Sequence, residues 1–299
     1  MESRRKIMNV KSVLKLIIPP VFILVLRKLK QRFHKSNDKI VSTISLIEKK
    51  SDTICILGNG PSLVESCNKY INFISRHDVI GVNFLCITDV FTQVKPSIYV
   101  ISDPAFFQQE KNDNIKQFEK AFFSNTTWNM SVVIPDFASE SEFCSKVKQS
   151  EKFKVYFYNT RNCSSNENFF EQYNRNLLTP PARNVLNFAL YLSIFMKYKE
   201  VYLFGAENSF MNDLHVDQKD NKLYFMYKHF YDEGKKIYLY YDDSKPERGI
   251  MKLYEFLSEH SKTMKLYWDL LDYSNYNNVK IYNASEYSLI DAFERRKPE

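Results

Sequence analysis

Short apolar runs alternate with helically spaced apolar positions along most of this chain. Runs rich in β-branched and aromatic residues predict strands over 53–57, 79–82, 97–101, 131–134, 154–158, 201–204 and 279–282. Apolar residues recurring at helical spacing predict helices over 63–74, 184–197, 223–233 and 250–271. Residues 237–241 suit either a strand or a loop. Strands separated by helices predict an α/β fold, Rossmann-like, with a mostly parallel sheet and helices on both faces. Residues 159–178 are polar and predict a long loop of the kind that covers sites in α/β enzymes. Ile40, Ile44 and Ile47 stand at helical spacing in a polar stretch, which predicts a linker helix over 36–50. No linker composition interrupts residues 51–290, so 51–299 is expected to form one domain.

The first 35 residues break this pattern. They hold ten Lys and Arg against the single acid Glu2, a local charge of +9 that leaves the remaining 264 residues at −2. The body is therefore near neutral and gives no electrostatic argument for nucleic acid. Within the basic segment, residues 16–26 are apolar and include Pro19 and Pro20. Eleven residues are too few to span a bilayer, which needs about twenty. No small-residue cleavage site follows, so a secretory signal peptide is not indicated. Apolar residues flanked by Lys and Arg predict an amphipathic segment lying on an anionic membrane surface, here the inner face of the cell membrane. A basic helix packed on the body or on a partner is the competing reading.

Apolar content of 44% and aromatic content of 15% suffice for a buried core and exclude a disordered chain. The five cysteines, Cys55, Cys67, Cys86, Cys144 and Cys163, are odd in number and form no C-x-x-C pair. They read as scattered reduced thiols of a cytoplasmic protein, not as a zinc site or a disulfide framework.

Two of only six glycines fall in Gly58-Asn59-Gly60-Pro61-Ser62, directly after the first predicted strand. Such clustering marks a tight turn or the close approach of another group. Ser62 followed by Glu65 is a capping-box pattern that predicts a helix start. Strand, glycine turn and helix together aim N–H groups and a helix dipole at one spot, where a phosphate would sit. The segment is neither G-x-G-x-x-G nor a Walker loop, so a βα turn without a ligand stays open beside phosphate binding.

Ligands of open α/β sheets bind at the carboxyl ends of the strands. Four segments lie just past predicted strand ends: Gly58–Ser62, Asn83, Asp103, and Gly205 with Glu207, Asn208 and Ser209. They are expected to converge on one crevice. Arg183 and Asn184 open the helix predicted from residue 184. The fork of Arg183 suits a diphosphate or a sugar carboxylate. Among five histidines, His215 is the best general-base candidate. It lies ten residues past Gly205, carries an imidazole, the side chain most often used as a general base, and has Asp213 and Asp217 to orient its ring. Asp242-Asp243 is an adjacent acid pair of the body and reads as a solvated turn, so no divalent ion or other cofactor is expected.

Ile-Leu-Gly-Asn-Gly-Pro-Ser-Leu at 56–63 resembles the opening motif of the bacterial sialyltransferases of glycosyltransferase family 42. It equally resembles a broader family whose archaeal members are 6-hydroxymethylpterin pyrophosphokinases. Asn83 matches an Asn after the sialyltransferases' second strand. Asp103-Pro104-Ala105-Phe106-Phe107 resembles their Asn-Pro-Ser-Leu-Phe-Phe. Tyr198-Lys199-Glu200-Val201-Tyr202-Leu203-Phe204-Gly205, followed by Glu207, resembles their Tyr-Lys-Glu-Ile-Tyr-Leu-Ser-Gly and the acid beyond it. The match spans roughly residues 51–215. The chain departs from the family at Arg183-Asn184, where a Ser-Gly pair stands there. It departs again at Phe210 in place of a Tyr, and around His215, where the family has His-Tyr-Ile-Gly-His. Its last stretch, Ile281-Tyr282-Asn283-Ala284-Ser285, is closer to the broader family.

The resemblance implies a metal-free glycosyltransferase with a His base and tyrosines near the leaving phosphate, for which Tyr224 and Tyr227 are candidates. Its donor would be a CMP-linked sugar, sialic acid or another nonulosonic acid. Its acceptor would be a glycan or lipid-linked glycan of a capsule or lipopolysaccharide. The donor-binding set is then Gly58, Asn59, Gly60, Pro61, Ser62, Asn83, Asp103, Arg183, Asn184, Gly205 and Glu207, with His215 catalytic. A pyrophosphokinase-like phosphotransferase and a non-catalytic module of a polysaccharide assembly complex are the alternatives.

Overall fold

The computed structural model describes residues 42–161, 167–229, 232–240 and 249–299. The basic segment, Cys163 and Asp242-Asp243 lie outside the described residues, as does the first part of the expected linker helix. Within 42–50 there is one 3-10 turn, Ile44–Leu46, and no helix. Ile44 and Ile47 are buried in the core, and Thr43 bonds to the edge strand at Phe157, so the apolar spacing serves packing rather than a helix.

Eight strands form one parallel sheet. In chain order they are β1 (Thr53–Leu57), β2 (Asp78–Val82), β3 (Ile98–Val100), β4 (Met130–Pro135), β5 (Phe153–Tyr158), β6 (Glu200–Phe204), β10 (Lys280–Asn283) and β11 (Glu294–Arg295). Their spatial order is β11-β10-β6-β1-β2-β3-β4-β5. The chain thus runs outward from β1 to β5, returns, and runs the other way from β6. The switch falls between β1 and β6, whose register pairs Leu57 with Phe204.

Both faces of the sheet are covered because alternate strand positions are apolar on both sides. Ile54 and Ile56 of β1 pack in one core with α5 (Phe170–Asn174), α6 (Val185–Phe195) and α7 (Leu253–Tyr276). Cys55 and Leu57 pack in the other with α1 (Leu63–Ile74), α2 (Asp89–Val94), α3 (Asp113–Asn125) and α4 (Glu142–Gln149). The second core is dominated by phenylalanines, with Phe118, Phe122 and Phe143 all fully buried. Cys55, Cys67, Cys86 and Cys144 are free thiols inside this second core.

Two predicted elements fold differently. The helix expected over 223–233 is a pair of strands. β7 (Leu214–Val216), β8 (Leu223–His229) and β9 (Asp232–Tyr238) make a separate antiparallel sheet, with Tyr224 opposite Tyr238 and Phe225 opposite Ile237. Cross-strand pairs of aromatic and β-branched residues stabilise such ladders and outweigh a local helical reading. The loop expected over 159–178 contains α5, because Phe170 and Tyr173 bury their rings against Tyr273 and Tyr191. Among the described residues, no helix is long and apolar enough to cross a membrane.

Candidate functional site

The carboxyl ends of β1 and β6 meet at the switch point, and there the glycine turn is already filled. The Gly58 N–H donates to Phe204 O at 2.8 Å and the Gly60 N–H to Gly205 O at 2.9 Å. A Cβ on Gly60 would lie 2.6 Å from Gly205 O and 1.5 Å from Glu207 Oε2. Gly205 itself has a φ of +59°, a conformation that suits glycine. The glycines therefore let two backbone segments touch.

Glu207 completes the closure. Its side chain is buried, and Oε1 accepts the Ser62 N–H at 3.2 Å and the Ser62 hydroxyl as well. A carboxylate thus occupies the start of α1, where the positive helix end favours negative charge. Two expectations are corrected here. Ser62 makes no side-chain cap, so the Ser62/Glu65 box is absent, its hydroxyl having gone to Glu207. The N–H groups of Gly58, Gly60 and Ser62 are engaged within the chain, so the turn is not an open phosphate cradle. Ser285 and Ser288 brace this corner by bonding Ala206 N–H and O at 2.9 and 2.7 Å.

The open space lies beside that corner, over the ends of β2, β3 and β5. A cleft of about 600 Å³ is lined by Asn83, Asp103, Arg183 and Asn184 among the expected residues, and by Tyr158, Thr160 and Thr179 among those the sequence did not single out. Asn59 does not line it; its Nδ2 donates to Val82 O at 3.3 Å, next to Asn83 in the chain. The four expected strand-end segments therefore separate into two neighbouring groups. One is the sealed β1–β6 corner with Gly58, Gly60, Pro61, Ser62, Gly205 and Glu207. The other is the cleft.

Each cleft residue is held from below. Asn83 ends β2 with a φ of +41°, which Asn tolerates better than most residues. Its carbonyl accepts the buried Tyr99 hydroxyl at 2.6 Å, and that hydroxyl also accepts the Cys86 N–H at 2.9 Å. Burial pushes the Tyr99 phenol well up, so it stays a donor. Asn83 Oδ1 is buried without a hydrogen-bond partner among the described residues. Asp103 is exposed and its Oδ1 accepts the Ala105 N–H at 2.9 Å. That bond caps the turn Pro104–Phe107. Asn184 caps α6 by accepting the Asn187 N–H at 2.9 Å, and is itself fixed by the Tyr267 hydroxyl at 3.0 Å. Arg183 precedes it and pairs with Glu259 of α7 at 3.1 Å, both ends partly exposed. Tyr158 stacks on Phe188 with ring centroids 3.8 Å apart and forms the apolar floor. Thr160 lies just past β5 as Asn83 lies just past β2, so the same strand-end rule would have found it; Tyr158 is the last residue of the strand itself.

His215 is not on the cleft wall. It is exposed on β7, its ring stacked 5.5 Å from that of Tyr224 across the antiparallel ladder. Asp217 does not orient it. That carboxylate takes Lys236 Nζ at 2.6 Å and the Lys219 N–H at 2.9 Å, and the lysine holds it below the usual carboxylate range. The expected role of Tyr224 and Tyr227 as helical phosphate donors changes too, since both stand on β8. No cluster of three His, Cys, Asp or Glu side chains that could hold a metal occurs among the described residues.

No family model matches the chain, and no curated protein does. A solved structure, that of the MAf glycosyltransferase from Magnetospirillum magneticum AMB-1, is similar with a TM-score of 0.47 and 11% identity. The likeness covers 86% of this chain and 35% of that one, so this chain spans about a third of that protein's length. A likeness at this level concerns backbone course alone and carries no chemistry.

Proposed function

We propose that the protein is a glycosyltransferase that takes a nucleotide-sugar donor in the cleft of Asn83, Asp103, Arg183 and Asn184. The observation that carries this reading is a cleft at strand carboxyl ends that joins a cation at a helix start to a buried, unpartnered amide oxygen. Arg183 and the first turn of α6 suit the phosphate of the donor. Asn83 lines the cleft, and its Oδ1 would accept from a hydroxyl or an amino group of the ligand once a small side-chain rotation exposes it. Tyr158 and Phe188 supply an apolar wall.

Transfer then requires a base for the acceptor hydroxyl. Asp103 is the carboxylate on the wall, and its capping bond uses Oδ1, which leaves Oδ2 for the proton. The acceptor oxygen gives its proton to Asp103 and bonds to the anomeric carbon. The bond from that carbon to the phosphate oxygen breaks, and Arg183 steadies the departing charge. His215, the base suggested by the sequence, is the competing candidate.

The finer reading rests on the sequence resemblance. The donor is CMP-linked sialic acid or another nonulosonic acid, no metal is required, and the acceptor is a glycan of a surface polysaccharide. The basic segment would hold the enzyme on the inner face of the membrane, beside a lipid-linked acceptor. A thermal-shift panel of CMP, UDP, GDP and ATP tests the reading. A ligand at a hundred times its Kd stabilises by about 2.7 kcal/mol. Stabilisation by CMP alone is expected. A shift with ATP and Mg²⁺ only would favour a pyrophosphokinase-like enzyme, and no shift at all a non-catalytic module.

A further inference from the structure

A second cavity of about 740 Å³ adjoins the donor cleft, and the two share Pro104 and Phe137. The rest of its wall is Phe107 together with polar residues, Gln108, Gln109, Glu140 and Glu142 among them. Phe137 stands in this polar setting with 53% of its surface exposed. Lone exposed apolar side chains are common and need no explanation. This one is different because it is fixed in place at the junction of two cavities. The Phe137 N–H donates to Asp136 Oδ1 at 3.0 Å, and the same oxygen accepts the Thr160 hydroxyl at 2.7 Å. The Phe137 ring meets Phe107 edge-on, with centroids 5.9 Å apart. The backbone of Phe137 is thereby held, and its exposed ring rests against Phe107 with amides and carboxylates around it.

We propose that this cavity binds the acceptor, a neutral pyranose oligosaccharide, with Phe137 as the stacking platform. A pyranose presents an apolar face of C–H groups that suits an aromatic plate, and an edge of hydroxyls that suits amides and carboxylates. Charge decides against an anionic glycan. None of the cavity's lining residues is basic, and the two lysines that reach its Glu142, Lys146 at 2.6 Å and Lys111 at 3.7 Å, are both paired with Glu119 as well. The shared residue Pro104 follows Asp103 directly. A sugar on Phe137 therefore presents its end toward the carboxylate assigned above as base. The proposal rests on the transferase reading for its role in catalysis, but the binding itself does not.

Saturation-transfer NMR with the full-length protein tests it, using a panel of neutral oligosaccharides ending in galactose, glucose or N-acetylhexosamine, and a sialylated oligosaccharide. The expected result is transfer to ring C–H protons of at least one neutral glycan and none to the sialylated one. Phe137→Ala should weaken that binding at least tenfold, with Phe137→Trp retaining it. Circular dichroism and the melting temperature without ligand should match the wild type in both variants, which shows that they fold. Failure of every neutral glycan to bind, preference for the sialylated one, or full binding by Phe137→Ala would each overturn the proposal. Glycan binding without any nucleotide shift would uphold the cavity as a glycan site and overturn the transferase reading instead.

Discussion

The carboxylate of Glu207 accepts two hydrogen bonds from Ser62, one from the backbone N–H at 3.2 Å and one from the hydroxyl. The two residues are 145 positions apart and join the ends of β1 and β6. This pair closes the corner between the two strand ends. It fills the helix start at the switch point with the protein's own negative charge and leaves the cleft over β2, β3 and β5 as the open site.

Gly60→Ala should therefore act on stability first. Its Cβ would strike Glu207 Oε2 and Gly205 O, the second of them backbone that cannot swing away. A loss of about 3 kcal/mol is expected, since overpacking and a displaced buried carboxylate act together. Ser62→Ala should cost less, about 1–2 kcal/mol, because the backbone N–H still reaches Glu207. Chemical denaturation of both variants checks the order. Gly60→Ala at wild-type stability with nucleotide binding lost would restore the turn as a phosphate site.

Arg183 is expected to dominate nucleotide affinity, and Glu259 to oppose it. The pair they form is partly exposed and contributes little to stability, about 0–1 kcal/mol. A phosphate offers the same guanidinium a stronger, two-pronged partner. Arg183→Ala should weaken nucleotide binding about tenfold to a hundredfold, the range for losing a charged hydrogen bond. Glu259→Gln should tighten it by a few-fold by releasing the arginine. Calorimetric titration separates the two, and equal affinity in all three proteins would remove Arg183 from the site.

The base assignment is testable by paired substitutions. Asp103→Asn keeps the cap on Ala105 but cannot accept the acceptor proton, so turnover should fall by about a hundredfold to ten-thousandfold. Nucleotide-induced stabilisation should be intact. His215→Ala removes a ring that stacks on Tyr224 and should leave turnover within a few-fold. The opposite pattern would return the proton transfer to His215.

The sheet was largely legible in the sequence, and the closed corner was not. β1 and α1 occupy the residues their patterns predict, because a short β-branched run and a helical repeat are both local signals. The run Leu223-Tyr224-Phe225-Met226-Tyr227 is aromatic and apolar throughout, so it satisfies either period. Its partner Tyr238 decides the matter from fourteen residues away. The Gly58-Asn59-Gly60 turn announces that something approaches closely but not what. A distant carboxylate and a phosphate leave the same mark on the sequence. Asn83, Asp103 and Arg183 line one cleft, and the sequence points to them because strand ends and helix starts can be read locally whatever the side chains around them.

Membrane association is expected to reside in residues 1–35. Each Lys or Arg near an anionic surface adds about 1 kcal/mol, an effect that fades within a Debye length. Deleting the segment should move the protein from the membrane fraction to the soluble fraction, and high salt should partly mimic the deletion. An unchanged distribution after deletion would leave the segment to pack on the body or a partner.

Asp78 provides the contrast between structural and functional charge. It is buried at the opposite, amino-terminal end of β2, away from the strand ends that carry the cleft. Its Oδ2 accepts the N–H groups of Lys50 and Ser51 at 2.8 and 3.0 Å and the Tyr198 hydroxyl at 3.0 Å, and Oδ1 accepts the Ser97 hydroxyl at 3.0 Å. The Tyr198 phenol is pushed up by burial and by this carboxylate, so it remains a donor. Asp78→Ala would leave four donors without their acceptor, the buried Tyr198 hydroxyl among them, and should cost about 3 kcal/mol, toward the lower end for breaking a buried charged network because the other three are partly reached by water. Asp78→Asn should cost less, because one amide oxygen still serves part of the set. Neither change touches the cleft, so nucleotide affinity measured below the melting range should match the wild type in both. A selective loss of affinity at full stability would mean that the two ends of β2 are coupled in a way that the hydrogen bonds of Asp78 do not explain.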